Sequence, residues 1–141
     1  MTVSTINFCK YDVAVVIPCF RVENSIGVVL AGLPRYIKHI IVVDDASPDE
    51  TAENVKKLAA RDRRIILIQH KQNQGVGGAM RTGFQKALEL EAQIVVKVDG
   101  DDQMDLAHLP DMLMPLIEGH ADYTKGNRFR DFQALQQMPL I

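Results

Sequence analysis

A chain of 141 residues, 47% hydrophobic and 24% charged, is long enough to bury a core and has the composition of a soluble globular protein. Its net charge of −2 supplies no basic field to recruit nucleic acid, which excludes a DNA-binding module as the first reading. Cys9 and Cys19 form no C-x-x-C pair and have no His at ligand spacing, so both read as free thiols in a reducing compartment rather than as a disulfide or zinc site.

The opening segment "MTVSTINFCK" lacks the apolar stretch of a signal peptide, and no later run approaches the roughly 20 residues that span a bilayer. The chain as given is therefore expected to be soluble and cytoplasmic. Four continuous β-branched runs follow: "VAVVIP" (13–18), "HIIVV" (39–43), "IILI" (65–68) and "IVVKV" (94–98). Continuous rather than alternating apolar runs predict strands covered on both faces. Between them the period is helical. Ile26, Val29, Leu30 and Leu33 share a face in 23–33, and Pro34 ends it. Ala52, Val55, Leu58 and Ala59 do so in 49–60, and Met80, Phe84, Ala87 and Leu88 in 79–90. Leu106, Leu109, Leu113 and Leu116 form a last stripe in 106–117, disturbed by Pro110 and Pro115, and a short strand is expected near "DYTKG" (122–126). Strand and helix alternate, which predicts βαβ units and a mostly parallel sheet in a single domain. Ligands of such sheets gather beyond the carboxyl ends of the strands, so the loops after Ile17, Val43, Ile68 and Val98 are the ones to read for chemistry.

After the second strand, "DDASPDET" has the makings of a helix start. Ser47 is placed to cap, Pro48 to open the helix and Glu50 to complete a capping box. Asp44 and Asp45 are left over, and stand equally for a ligand role or for structure. After the third strand, "HKQNQGVGGAMRTG" has glycines at 75, 77 and 78, which let the backbone approach a ligand or form a flexible turn. It is neither a dinucleotide fingerprint, since Met80 stands where the third glycine belongs, nor a P-loop, since Phe84 follows Gly83 in place of Lys. After the fourth strand comes "VDGDDQM". An EF-hand fails there, because Met104 and Pro110 occupy the positions of its Gly and Glu. What remains is a partial cation site: Asp99, Asp101 and Gln103 offer oxygen ligands at alternating positions, suited to Mg2+ or Mn2+, and too few for a closed cage. A solvated acidic turn is the plainer alternative. His39, His70, His108 and His120 are scattered and read as ordinary surface or core residues, and "KGNRFR" (125–130) as a basic turn able to meet phosphate.

Taken in order, "VVIPCF" with Glu23, "VDDASPDET", "NQGVGGAMRTG", "VDGDDQ" and "KGNRF" resemble the inverting nucleotide-sugar glycosyltransferases of family 2, which have a GT-A fold. The resemblance runs from about Val13 to Arg128, and "DGDDQ" followed by "GNRF" is most similar to the synthases that load a sugar onto polyprenyl or dolichyl phosphate. It implies a three-layer α/β/α Rossmann-like domain, here truncated, with the acceptor-side C-terminal part and any membrane-attaching helices missing. It also implies the site. Pro18 and Glu23 line the nucleotide pocket and Asp45 reads the base edge, with Asp44, Gly75 and Gly77 in the same donor-binding set. Arg81 and Arg128 meet phosphate. Asp99 lies near the ribose and the metal shell, Asp101 and Gln103 bind Mg2+ or Mn2+, and Asp99, Asp101 and Arg128 carry the chemistry. The implied partners are a UDP- or GDP-sugar donor and a lipid phosphate acceptor, with the full-length protein at the cytoplasmic face of a membrane. Arg21, Val22, Val76, Asp102 and Met104 depart from residues frequent at those points of the family. A sugar hydroxyl acceptor, a nucleotide-binding fragment without turnover and a flavodoxin-like signalling domain are the alternative readings.

Overall fold

The four β-branched runs become four strands. In the computed structural model, which describes residues 7–124, β1 is Val13–Cys19, β2 His39–Asp44, β3 Ile65–Gln69 and β4 Ile94–Lys97. The sheet order is β3-β2-β1-β4 and every pair is parallel. Val15 stands beside Ile40 of β2 on one side and Val96 of β4 on the other. The central strands are buried on both faces: Val13 to Ile17 and Ile40 to Val43 are all fully buried. Burying each such Val or Ile side chain is worth roughly 1.5–3 kcal/mol against leaving it in water, so the core is concentrated in these two strands. Among the described residues β3 and β4 are the edges of this sheet, with Ile66 to Ile68 half-buried and Lys97 exposed.

Helices α1 (Ile26–Gly32) and α2 (Thr51–Ala59) follow β1 and β2, and α3 (Gly75–Glu89) follows β3. Right-handed crossovers carry α1 and α2 to one face, and the reversal of direction from β3 back to β4 carries α3 to the other. The side chains agree with that layering. Ala14, Val16, Ile41 and Val43, one alternation of β1 and β2, cluster with Ala79 and Ala87 of α3. The opposite alternation is equally buried and faces the other layer. The result is the expected three-layer α/β/α arrangement.

Local details differ from expectation. The helix expected over 79–90 starts at Gly75, so the glycine-rich segment is its first turn rather than a free loop. Its buried face is Ala79, Gly83 and Ala87, while Phe84 and Leu88 of the expected stripe are 45% and 75% exposed. The period was legible and the phase was not, because α3 lies too close to the sheet for large side chains. A Cβ on Gly83 would stand 2.2 Å from Val16 Cγ1. The capping box at 47–50 does not form. Helix α2 begins at Thr51, Ser47 Oγ accepts instead from Arg21 N at 3.0 Å, and the α2 start is served by Asp49 Oδ1, which accepts from Thr51 N at 3.0 Å, and by Glu23 Oε2, which accepts from Glu50 N at 3.0 Å.

Contacts divide the chain into two compact units, Met1–Leu106 and Ala107–Ile141. The described part of the second holds α4 (Leu109–Ile117), which follows a 3-10 turn at Leu106–His108. Pro110 sits in the first turn of α4, where its missing N–H costs nothing, and Pro115 lies inside, where it leaves one carbonyl without its helical donor. Of the strand expected over 122–126, residues 122–124 form none, and 125–126 lie outside the described residues. No helix among the described residues is long and apolar enough to cross a membrane.

Candidate functional site

Strand order reverses at β1, whose neighbours β2 and β4 continue in opposite directions along the sheet. The crevice at such a reversal, beyond the strand carboxyl ends, is where open α/β sheets bind ligands. Here it is a cleft of about 280 Å3. Its apolar wall is built by Pro18, Cys19, Phe20 and Val76, and its acids are Asp45, Asp99 and Asp101. Four residues singled out from the sequence, Pro18, Asp45, Asp99 and Asp101, are thus gathered from the end of β1 and the loops after β2 and β4 into one place.

The loop after β4 is shaped by Gly100. A Cβ there would approach Cys19 Sγ to 3.1 Å and Val22 Cγ2 to 3.3 Å, so glycine lets the chain settle against the end of β1. Ser25 Oγ donates to Gly100 O at 2.7 Å and ties the loop to the residues before α1. The flanking carboxylates stay open. Asp99 and Lys97 are each 46% exposed at the side chain and pair at 3.3 Å, and Asp101 Oδ1 accepts from Gln103 N at 3.2 Å. Among the described residues no three His, Cys, Asp or Glu side chains converge as a metal cluster. Asp99, Asp101 and Gln103 are all hard oxygen donors, and as an incomplete set they fit a Mg2+- or Mn2+-type cation that draws further ligands from a bound phosphate and water. Cys19 offers no competing thiolate: burial, and then the charge of Asp44, push its thiol up to about 12.

Asp45 is the most heavily bonded acid of the cleft. Oδ1 accepts from Gln74 N at 2.8 Å and lies 2.8 Å from His70 Nδ1, and Oδ2 accepts from Gly75 N at 2.8 Å. Its own backbone carbonyl accepts from Asn73 Nδ2 at 3.2 Å. The carboxylate therefore caps α3 from another strand, at the end where the helix dipole favours negative charge. That cap has work to do, because glycine lowers helix stability by about 1 kcal/mol per residue against alanine, and three of the first four residues of α3 are glycine. Burial opposes ionisation of Asp45, but the bonds from His70, Gln74 and Gly75 and the nearby His70 charge outweigh it and hold the carboxyl below its ordinary range. Of the roughly four acceptor positions of a carboxylate, one on Oδ2 is left over.

The other expected site residues are not in the lining of this cleft. Asp44 is buried and its Oδ1 accepts from Ser47 N at 3.2 Å. Glu23 lines a second, open depression with Arg21, Asn24, Pro48 and Asp49. Gly77 and Arg81 are exposed on α3, and Gly75 spends its N–H on Asp45 and on Asn73 Oδ1. Gln103 is exposed beside Asp101. Lys125, Arg128 and Arg130 lie outside the described residues. His70, expected to be an ordinary residue, instead contacts Asp45. The available signal was its position directly after β3, at the same sheet end as the acids.

Comparison with known proteins agrees with this geometry. The Glycosyl transferase family 2 profile matches residues 14–141. A UDP-N-acetylglucosamine–dolichyl-phosphate N-acetylglucosaminyltransferase of Methanococcus voltae is 34% identical over 89% of this chain and 55% of its own length. An undecaprenyl-phosphate mannosyltransferase of Micrococcus luteus is 32% identical over 82% of this chain and 48% of its own. The chain thus spans about half the length of these curated relatives. A solved mannosyltransferase of Pyrobaculum calidifontis, in complex with GDP-Man and Mn2+, superposes with a TM-score of 0.58 at 25% identity, covering 66% of this chain and 29% of that one. With the family profile spanning nearly the whole sequence and the sheet reversing at an acidic cleft, the chain belongs to Glycosyl transferase family 2 and has its GT-A type of α/β fold.

Proposed function

We propose that this domain binds the donor of a metal-dependent inverting glycosyltransferase, which moves a sugar from a UDP- or GDP-sugar to a polyprenyl phosphate. The observation that carries the reading is the convergence of Asp45, Asp99 and Asp101 on one cleft at the strand reversal. The nucleoside lies along the apolar wall of Pro18, Phe20 and Val76. Asp45 accepts from a base N–H through the one position left on Oδ2, and this favours uracil or guanine, whose ring N–H donates, over cytosine, whose corresponding nitrogen accepts. Asp99 and Asp101, with Gln103, hold Mg2+ or Mn2+, whose charge would stabilise the departing nucleoside diphosphate. Asp99 and Asp101 carry the chemistry in this sense, by fixing at the strand ends a cation whose charge would offset both their own repulsion of the diphosphate and the charge that develops on it. Arg81 is the proposed contact to the donor's phosphates, and Arg128 to the phosphate of the acceptor.

The acceptor follows from acid–base chemistry. A sugar hydroxyl needs a positioned base to lose its proton. A phosphate monoester, with a second pKa of about 6, is already largely dianionic at neutral pH and needs cations to approach the donor. The relatives named for dolichyl and undecaprenyl phosphate support that choice, and a polyprenyl substrate implies a working protein at a membrane surface, in this reading the cytoplasmic one. Calorimetry with UDP, GDP and CDP tests the donor site. Binding of UDP or GDP that vanishes in EDTA is expected, and equal binding in EDTA would remove the metal from the scheme.

A further inference from the structure

One buried side chain next to the cleft, His70, has no part in the reading above. His70 follows β3 directly, and its side chain is 7% exposed against 5% for Asp45. Its Nδ1 stands 2.8 Å from Asp45 Oδ1 and its Nε2 2.8 Å from Thr82 Oγ1. An ionised carboxylate only accepts, so the first contact is attractive with the proton on Nδ1. Thr82 Oγ1 also lies 3.1 Å from Gly78 O, to which it can donate. The hydroxyl therefore has two choices: it donates to a bare Nε2, or it accepts from Nε2–H while donating to the carbonyl. The ring is satisfied in either case.

What the ring connects matters more than its own bonds. The two amides that hold Asp45 come from the glycine-rich first turn of α3, where Gly75 has φ +80 and nothing lies within 4 Å of a Cβ at Gly75 or Gly77. Thr82 lies further along the helix, beside Gly83, where α3 is pressed onto Val16 of β1. His70 thus references the Asp45 carboxylate to the closely packed part of α3 rather than to its weakly packed start. We propose that His70 is a positioning residue of the donor site, whose ring between Asp45 and Thr82 pins Oδ1 and so keeps the remaining acceptor position of Oδ2 for a ligand N–H in the cleft. The inference rests on the nucleotide-binding reading of that cleft.

Two substitutions separate positioning from simple packing. In His70→Asn the amide N–H reaches the place of Nδ1 and keeps the bond to Asp45; in His70→Gln it reaches the place of Nε2 and keeps only Thr82. UDP and GDP affinities are measured by calorimetry with Mg2+, alongside thermal melting of each protein. His70→Asn is expected to bind within about threefold of wild type and His70→Gln about tenfold or more weakly, the loss of one bond to a charged group, although both melt earlier than wild type. Affinity unchanged in both, or reduced equally in both in step with melting temperature, would overturn the positioning role while leaving the donor site standing. A wild type that binds neither UDP nor GDP would overturn the donor site and this inference together.

Discussion

Asp45 carries three contacts from its own chain before any ligand arrives, and that changes what its removal should do. Asp45→Asn keeps the shape but replaces an acceptor of charge-assisted bonds, and should lower stability at pH 7 by about 2 kcal/mol. The pH dependence has a definite sign. The folded-state pKa is lowered, so the contribution is complete above the unfolded value of about 3.9 and is lost as pH falls through the lowered folded value. The melting difference between wild type and Asp45→Asn is therefore expected to be largest near neutrality and to close in strong acid. A difference that persists unchanged at pH 2 would mean that the charge does nothing for the fold. At this scale the acids were legible because carboxylates crowded at a strand end have no structural excuse in a linear reading. His70 was not legible, since its partners lie 25 and 12 positions away.

Among the elements, α3 shows how a helix is placed by what it lacks. Ala79, Gly83 and Ala87 form a face of small side chains, and the missing Cβ at Gly83 sets the distance to β1. Gly83→Ala forces that contact apart and should cost about 1–3 kcal/mol, the usual penalty for overfilling a core, measurable by urea denaturation. Gly77→Ala meets open space and should leave stability unchanged or raise it by up to about 1 kcal/mol. If both substitutions behaved alike, the close packing of α3 on Val16 would not be what anchors it. The same packing explains why Phe84 and Leu88, the largest apolar residues of the expected stripe, ended on the outside.

For the whole molecule the question is the acceptor, and the residues that would meet it, Lys125, Arg128 and Arg130, come after the described part of the chain. The full-length protein, given labelled nucleotide sugar with polyprenyl phosphate and free oligosaccharides side by side, is expected to label the lipid. Arg128→Ala should abolish that transfer while UDP or GDP binding survives. Label on a sugar hydroxyl that Arg128→Ala leaves untouched would move the protein to polysaccharide-building chemistry.

Strand positions, the α/β class and the acidic loops were determined by the sequence alone, because continuous β-branched runs and strand-end carboxylates are local patterns that need no knowledge of the partner strand. The order β3-β2-β1-β4 was not, since pairing depends on which crossovers turn back, and that places Asp45, Asp99 and Asp101 in one cleft. Nor was the start of α2, where Glu23 from another loop and Asp49 took over from the expected Ser47 cap. Tertiary structure also decided the face of α3 and the bonds of His70. In each of these the deciding contact joins residues from different elements, and the distance between them is set only once the sheet has formed.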